Sequence, residues 1–176
     1  MSAASGQDEY WRQAAAEYGP AMERLAWAYE ADPDLRRDLI QEIHLALWRS
    51  LENFDARCSL RTWTYRVAHN VATSHVIRQK KRRALVFLTL EEIEAQPAPQ
   101  NVEESADRQQ ARARVLALVQ GLEFLDRQLI LAYLEGLDAE SMSQITGLST
   151  ANVWTKIHRI KNVLVRQFHS GGSDAQ

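Results

Sequence analysis

With 176 residues, the chain can hold one medium domain or two small ones. Its apolar share of 45% and charged share of 25% suit an ordinary soluble globular protein, and seven glycines and four prolines among many Ala, Leu, Arg and Gln favour an all-helical fold. The single Cys58 excludes an internal disulfide or a CxxC zinc site, and a net charge of −2 conceals strong blocks of opposite sign.

The start, "MSAASGQDEYW", has neither a basic n-region nor an apolar h-region, so it does not read as a secretory signal. The longest apolar runs, such as "ALVFLTL", are too short to span a bilayer, and the expected location is the cytoplasm. Trp11, Ala15 and Tyr18 form a first short helical stripe, and Gly19-Pro20 is expected to restart a second helix with Pro at its first position. Asp32-Pro33 begins another in the same way, with Leu35, Leu39, Ile43, Ala46 and Leu47 on its apolar face. "ENFDARCS" reads as a loop, and Cys58 within it as a quiet loop cysteine. A helix from about Leu60 is expected to bury Trp63, Val67 and Val71 and to run into "RQKKRR".

Charge follows this organisation. Residues 1–55 carry 11 acids against 5 bases, residues 56–90 carry 8 bases and no acid, and residues 91–107 carry 6 acids and no base. From Asn152 to Phe168 the only charges are Lys156, Arg159, Lys161 and Arg166. Two basic tracts separated by an acidic one suggest a polyanion gripped at two places. Residues 89–106 contain Pro97 and Pro99, lack an apolar period and read as a linker. Periodicity returns with Ala111, Val115, Leu118, Val119 and Leu122, then with Leu125, Leu129, Ala132 and Tyr133 up to Gly136.

"DAESMSQITGLSTANVWTKIHRIKNVL" (138–164) is the most specific stretch. A short helix turns Met142 and Ile145 inward, Gly147 supplies a positive φ, and Ser149 is a good N-cap for a second helix. That helix is expected to bury Val153, Ile157, Ile160 and Leu164. Its other face carries Ala151, Asn152, Thr155, His158, Arg159 and Asn162, residues suited to a major groove and its flanking phosphates. The pattern is a helix-turn-helix.

"DLIQEIHLALWRSLENFDARCSLRTWTYRVAHNVATSHVIRQKKRR" (38–83) resembles region 2 of the extracytoplasmic-function bacterial sigma factors, and residues 125–164 resemble their region 4. The resemblance implies an all-α chain: a region 2 domain (1–87), an acidic flexible linker (88–107), a region 4 helix-turn-helix domain (108–168) and a disordered tail (169–176). It implies a dissociable RNA polymerase subunit that recognises promoters, with no cofactor and no catalytic residue.

On that likeness Asp38, Leu39, Gln41, Glu42 and Leu45 dock on the β′ clamp of core polymerase. The loop from Asn53 through Phe54 and Arg57 to Ser59 captures a flipped base of the −10 element. Arg61, Arg66, His69, Asn70, Arg78, Lys80, Lys81 and Arg82 belong to the same DNA surface, His69 and His75 lying where phosphate contact is plausible. Thr150, Asn152, Trp154, Thr155, Lys156, His158 and Arg159 face the −35 element, and the second domain also touches the β flap. An anti-sigma factor is implied as a further partner. An electropositive face without acids lowers the cost of melting by neutralising phosphates, while a pocket holds the extruded base. Primary sigma factors carry a Trp wedge where this chain has Arg66 and Val67, so melting would lean on the loop pocket. Trp63 is read as packing.

Two departures stand out: Trp154 replaces a usual basic residue, and Lys156 replaces a usual Arg, losing the bidentate fork. The competing reading is a stand-alone helix-turn-helix regulator that binds operators without polymerase. An enzyme is disfavoured, because no GxGxxG, P-loop, HExxH or GxSxG motif is present and the histidines show no ligand spacing with carboxylates.

Overall fold

The computed structural model describes residues 3–87 and 106–170, and among them every regular element is helical. The elements are α1 (Ala3–Tyr29), α2 (Pro33–Ser50), a 3-10 turn (Leu51–Asn53), α3 (Leu60–Phe87), α4 (Ala106–Gln120), α5 (Phe124–Leu134), α6 (Ala139–Thr146) and α7 (Thr150–Ser170). They group into two compact units, one formed by residues 1–52 and 67–102 and the other by residues 53–66 and 103–176. The segment expected to be the acidic linker lies, apart from Ala106 and Asp107, outside the described residues, as do positions 171–176 of the expected tail.

In the first unit α1 is one helix rather than two, with Pro20 inside it. The apolar face continues across the Gly19-Pro20 step, burying Ala14 before it and Ala21, Met22, Leu25 and Ala26 after it. Packing against α2 therefore holds both halves in register. Ala16 and Pro20 lie on the exposed side, where the carbonyl that loses its donor can take one from water. Asp32 caps α2 as its sequence suggests: Oδ1 accepts from the N–H of Asp34 at 2.9 Å and of Leu35 at 3.0 Å, with Pro33 as the first helical residue. Leu39, Ile43 and Leu47 are wholly buried.

The end of α1 is tied to α3 by polar pairs inside the core. Tyr29 Oη lies 3.1 Å from His69 Nδ1, and Glu30 Oε2 lies 2.9 Å from His75 Nε2. The other Glu30 oxygen accepts from the Asp32 N–H at 3.0 Å, so one buried carboxylate joins α1, the start of α2 and α3. In this unit the buried face of α3 is accordingly Ala68, His69, Ala72 and His75, while Trp63, Val67 and Val71, expected to be buried, are half-buried.

The second unit is built on local stops and starts. Gly136 has φ 72° and Gly147 φ 76°, both left-handed, ending α5 and α6 at no steric cost. Asp138 caps α6 through the Ser141 N–H at 2.7 Å, and this hydrogen bond holds its carboxyl below the usual carboxylate range. Ser149 Oγ accepts from the Asn152 N–H at 3.3 Å at the start of α7. The core joins Val119, Leu129, Ile130, Leu137, Met142 and Ile145 to Val153, Ile157 and Ile160 of α7, while Leu164, expected to join them, is half-buried. Arg127, only 6% exposed, donates from Nε to the Val119 carbonyl at 3.1 Å and from Nη2 to those of Gln120 and Leu122. A buried guanidinium thus supplies donors that the carbonyl end of α4 lacks.

Candidate nucleic-acid interface

Three surfaces carry the residues marked in the sequence. On α2, Asp38, Gln41, Glu42 and Leu45 follow i, i+3, i+4, i+7 spacing and are all exposed. Leu39 is 0% exposed and packs inward, so it supports this face rather than touching a partner. Leu45, 49% exposed, continues into Trp48, 41% exposed, whose indole Nε1 donates to Asp8 Oδ1 at 2.9 Å. With Asp8, Trp11, Arg12 and His44, these two line a groove of about 430 Å³. The sequence reading overlooked Trp48, although its position one turn beyond Leu45 marks the same face.

The second surface starts in the loop before α3. Asn53, Arg57 and Ser59 are exposed, and Phe54 is half-buried with its ring edge-on to Trp63 at 5.4 Å. Arg66 covers the Trp63 ring, with its guanidinium carbon 4.6 Å from the centroid. Trp63 is therefore half-buried and packs against Phe54 and Arg66. Ala56 takes φ 58°, a left-handed conformation held by a residue with a Cβ. Asp55 accepts the Arg57 N–H at 3.1 Å and pairs with its guanidinium, turning the loop. Ser59 Oγ accepts from the Thr62 N–H at 3.0 Å and opens α3. Arg61 donates to the carbonyls of Glu135 and Gly136, and the Tyr65 hydroxyl donates to Glu135 at 3.3 Å.

Further along α3, Asn70, Lys80, Lys81 and Arg82 are exposed, and Arg78 is ion-paired to Glu42 of α2. The two histidines of this helix depart from expectation. His69 is 0% and His75 2% exposed, so neither reaches a phosphate. Desolvation pushes the His69 imidazole down to about 3, which keeps it neutral. Their place on a basic helix points to DNA, but the partners that bury them lie 40 and 45 residues away in sequence.

The third surface is α7. Val153, Ile157 and Ile160 are at most 2% exposed, while Thr150, Asn152, Trp154, Thr155, His158 and Arg159 are exposed. A rigid apolar stripe thus presents one polar face. Trp154, 51% exposed, meets Tyr133 edge-on at 6.4 Å. Lys156 Nζ and Arg159 Nη2 both pair with Asp126 of α5, at 2.6 and 2.9 Å. Asp126 belongs to no motif, and sequence reasoning misses it; only its place in the first turn of α5 hints at a role.

Known proteins resemble the chain in both sequence and fold. Residues 14–83 match the family model of sigma-70 region 2. The chain is 27% identical to the RNA polymerase sigma-H factor of Pseudomonas aeruginosa over 140 residues, covering 76% of this chain and 72% of that protein. It is 27% identical to the sigma factor CnrH of Cupriavidus metallidurans over 169 residues, covering 90% and 86%. Against the ECF sigma-E factor of Haemophilus influenzae, identity is 26% over 137 residues, covering 72% and 71%. The fold matches the sigma factor RpoE solved with the anti-sigma factor NepR from Bartonella quintana, with a TM-score of 0.70 at 20% identity over 90% of this chain and 96% of that one. CnrH in complex with the cytosolic domain of CnrY matches at 0.64, also at 20% identity, over 99% and 94%.

Proposed function

We propose that this chain is a sigma factor of the extracytoplasmic-function type, which binds core RNA polymerase and directs it to promoters read at two separate elements. The observation that carries this reading is α7: its apolar face is sealed while Asn152, Thr155, His158 and Arg159 are exposed on the other side, behind a turn set by Gly147. A helix so presented enters a major groove and meets base edges with its N-terminal half. Here it reads the −35 element.

The −10 element is assigned to the loop Asn53–Ser59 with Phe54, Trp63 and Arg66, whose aromatic and guanidinium groups are stacking partners for an extruded base. Asn70, Lys80, Lys81 and Arg82 hold the neighbouring phosphates. Asp38, Gln41, Glu42 and Leu45, with Trp48, form the polymerase-binding face of α2. An anti-sigma partner follows from the relatives whose structures hold one. No described helix is long and apolar enough to cross a membrane, and the proposed site of action is the cytoplasm.

The test is affinity capture with core RNA polymerase, followed by footprinting with and without core. Capture, together with a footprint that requires core, supports the assignment. A tight sequence-specific footprint from the free chain and no capture of core would instead make it a stand-alone regulator.

A further inference from the structure

Asp126 sits in the first turn of α5 with its side chain 15% exposed, and both its oxygens are taken by α7. Oδ1 accepts from Lys156 Nζ at 2.6 Å and Oδ2 from Arg159 Nη2 at 2.9 Å. Lys156 is 28% exposed and drawn back toward the scaffold, whereas Arg159 stays 62% exposed. A single carboxylate therefore occupies two of the four cations that α7 carries between Asn152 and Phe168.

The chemistry of the two cations differs. A guanidinium has five N–H donors in a rigid fork, so one bond to Asp126 leaves donors available for a bidentate contact. An ammonium is a point charge, and its bond to a half-buried carboxylate competes directly with a phosphate. The same acid thus orients the residue suited to reading a base and restrains the residue suited only to neutralising a backbone.

Building on the assignment of α7 to the −35 element, we propose that Asp126 is a specificity-determining positioning residue. It holds Arg159 extended for guanine and withholds Lys156 from indiscriminate phosphate contact. Ordering Arg159 beforehand removes the rotamer freedom that base contact would otherwise have to freeze. Restraining Lys156 lowers affinity for every sequence alike and so widens the gap between right and wrong sites.

The test compares Asp126→Asn with the unmodified full chain. Selection from a promoter library randomised at −35 is measured with core RNA polymerase, and the salt dependence of binding to a random duplex is measured with the chain alone. Asp126→Asn should lower discrimination at the guanine read by Arg159 roughly tenfold. It should also tighten random-duplex binding and steepen the log–log salt slope by about 0.9, the signature of one more neutralised phosphate. Asp126→Glu should restore part of the discrimination. Equal weakening on all sequences with an unchanged slope, in a variant that unfolds at a lower temperature, would reduce Asp126 to a structural role and overturn the proposal. Unchanged selection and slope would overturn it as well. Arg159→Ala separates the two levels: if it abolishes selection while Asp126→Asn does not, only the buttress fails. If it leaves selection intact, the assignment of α7 fails first.

Discussion

At Ala56 the backbone takes a left-handed turn that a residue with a Cβ adopts at a cost of about 1–2 kcal/mol. Glycine would relieve that strain but lose about 0.5–1 kcal/mol through its freer unfolded chain. Ala56→Gly should therefore raise stability by about 0.5–1 kcal/mol in denaturant titration. A larger, β-branched residue there should do the opposite. His69 offers a second test at this scale. Burial holds its imidazole near 3 in the folded chain, against an ordinary value near 6.5. Between those values the unfolded chain binds a proton that the folded chain refuses. The contribution is fully present above pH 6.5 and is lost as pH falls, with a slope of up to about 1.4 kcal/mol per pH unit. Thermal unfolding between pH 7 and pH 4 should show this loss, and His69→Gln, which has no titrating ring, should flatten the curve relative to the parent.

Among the elements, the junction of α4 and α5 depends on Arg127, whose guanidinium meets the carbonyls of Val119, Gln120 and Leu122. Arg127→Met keeps much of the bulk but leaves carbonyls at the end of α4 without those donors. Removing charged hydrogen bonds of this kind should cost about 2–4 kcal/mol. Ile157→Ala, at a position 2% exposed, should cost about 2–5 kcal/mol through a cavity under α7. Both effects are read by chemical unfolding. They differ in origin: the first exposes unsatisfied polar groups, whereas the second removes apolar packing. A small apolar ligand that fills the cavity should rescue only Ile157→Ala.

For the molecule as a whole, the proposed phosphate contacts Asn70, Lys80, Lys81 and Arg82 belong to the first unit, whereas the loop Asn53–Ser59 and α7 belong to the second. The exposed cations Lys80, Lys81 and Arg82 should hold phosphates without deciding sequence. Replacing all three with Gln should weaken promoter complexes and reduce the salt slope by about 0.9 for each phosphate no longer neutralised. Capture of core polymerase should persist, since its proposed face is on α2. Arg78 is kept intact because its partner Glu42 belongs to that face. Failure to capture core with unchanged DNA affinity would instead place the basic tract on the polymerase.

What the sequence alone determined is local. Asp32-Pro33, Gly136, Gly147 and Ser149 set helix ends through hydrogen bonds and dihedrals within a few residues. The stripe Val153, Ile157, Ile160 marks the inner side of α7 because 3.6-residue periodicity needs no distant partner. The candidate DNA-reading face of that helix was legible for the same reason. The rest depended on neighbours remote in the chain. Pro20 stays inside α1 because a continuous face packs on α2, outweighing a local break signal. On α3, apolar spacing favoured Trp63, Val67 and Val71. Burial went instead to a face with two histidines, where Tyr29 meets one ring nitrogen of His69 and Glu30 meets Nε2 of His75, from 40 and 45 residues away. Burying a polar side chain costs less when a hydrogen bond is met there, and tertiary structure supplies the partner. Asp126 was hidden in the same way: its meaning lies in Lys156 and Arg159, which reach it only once α5 and α7 have packed.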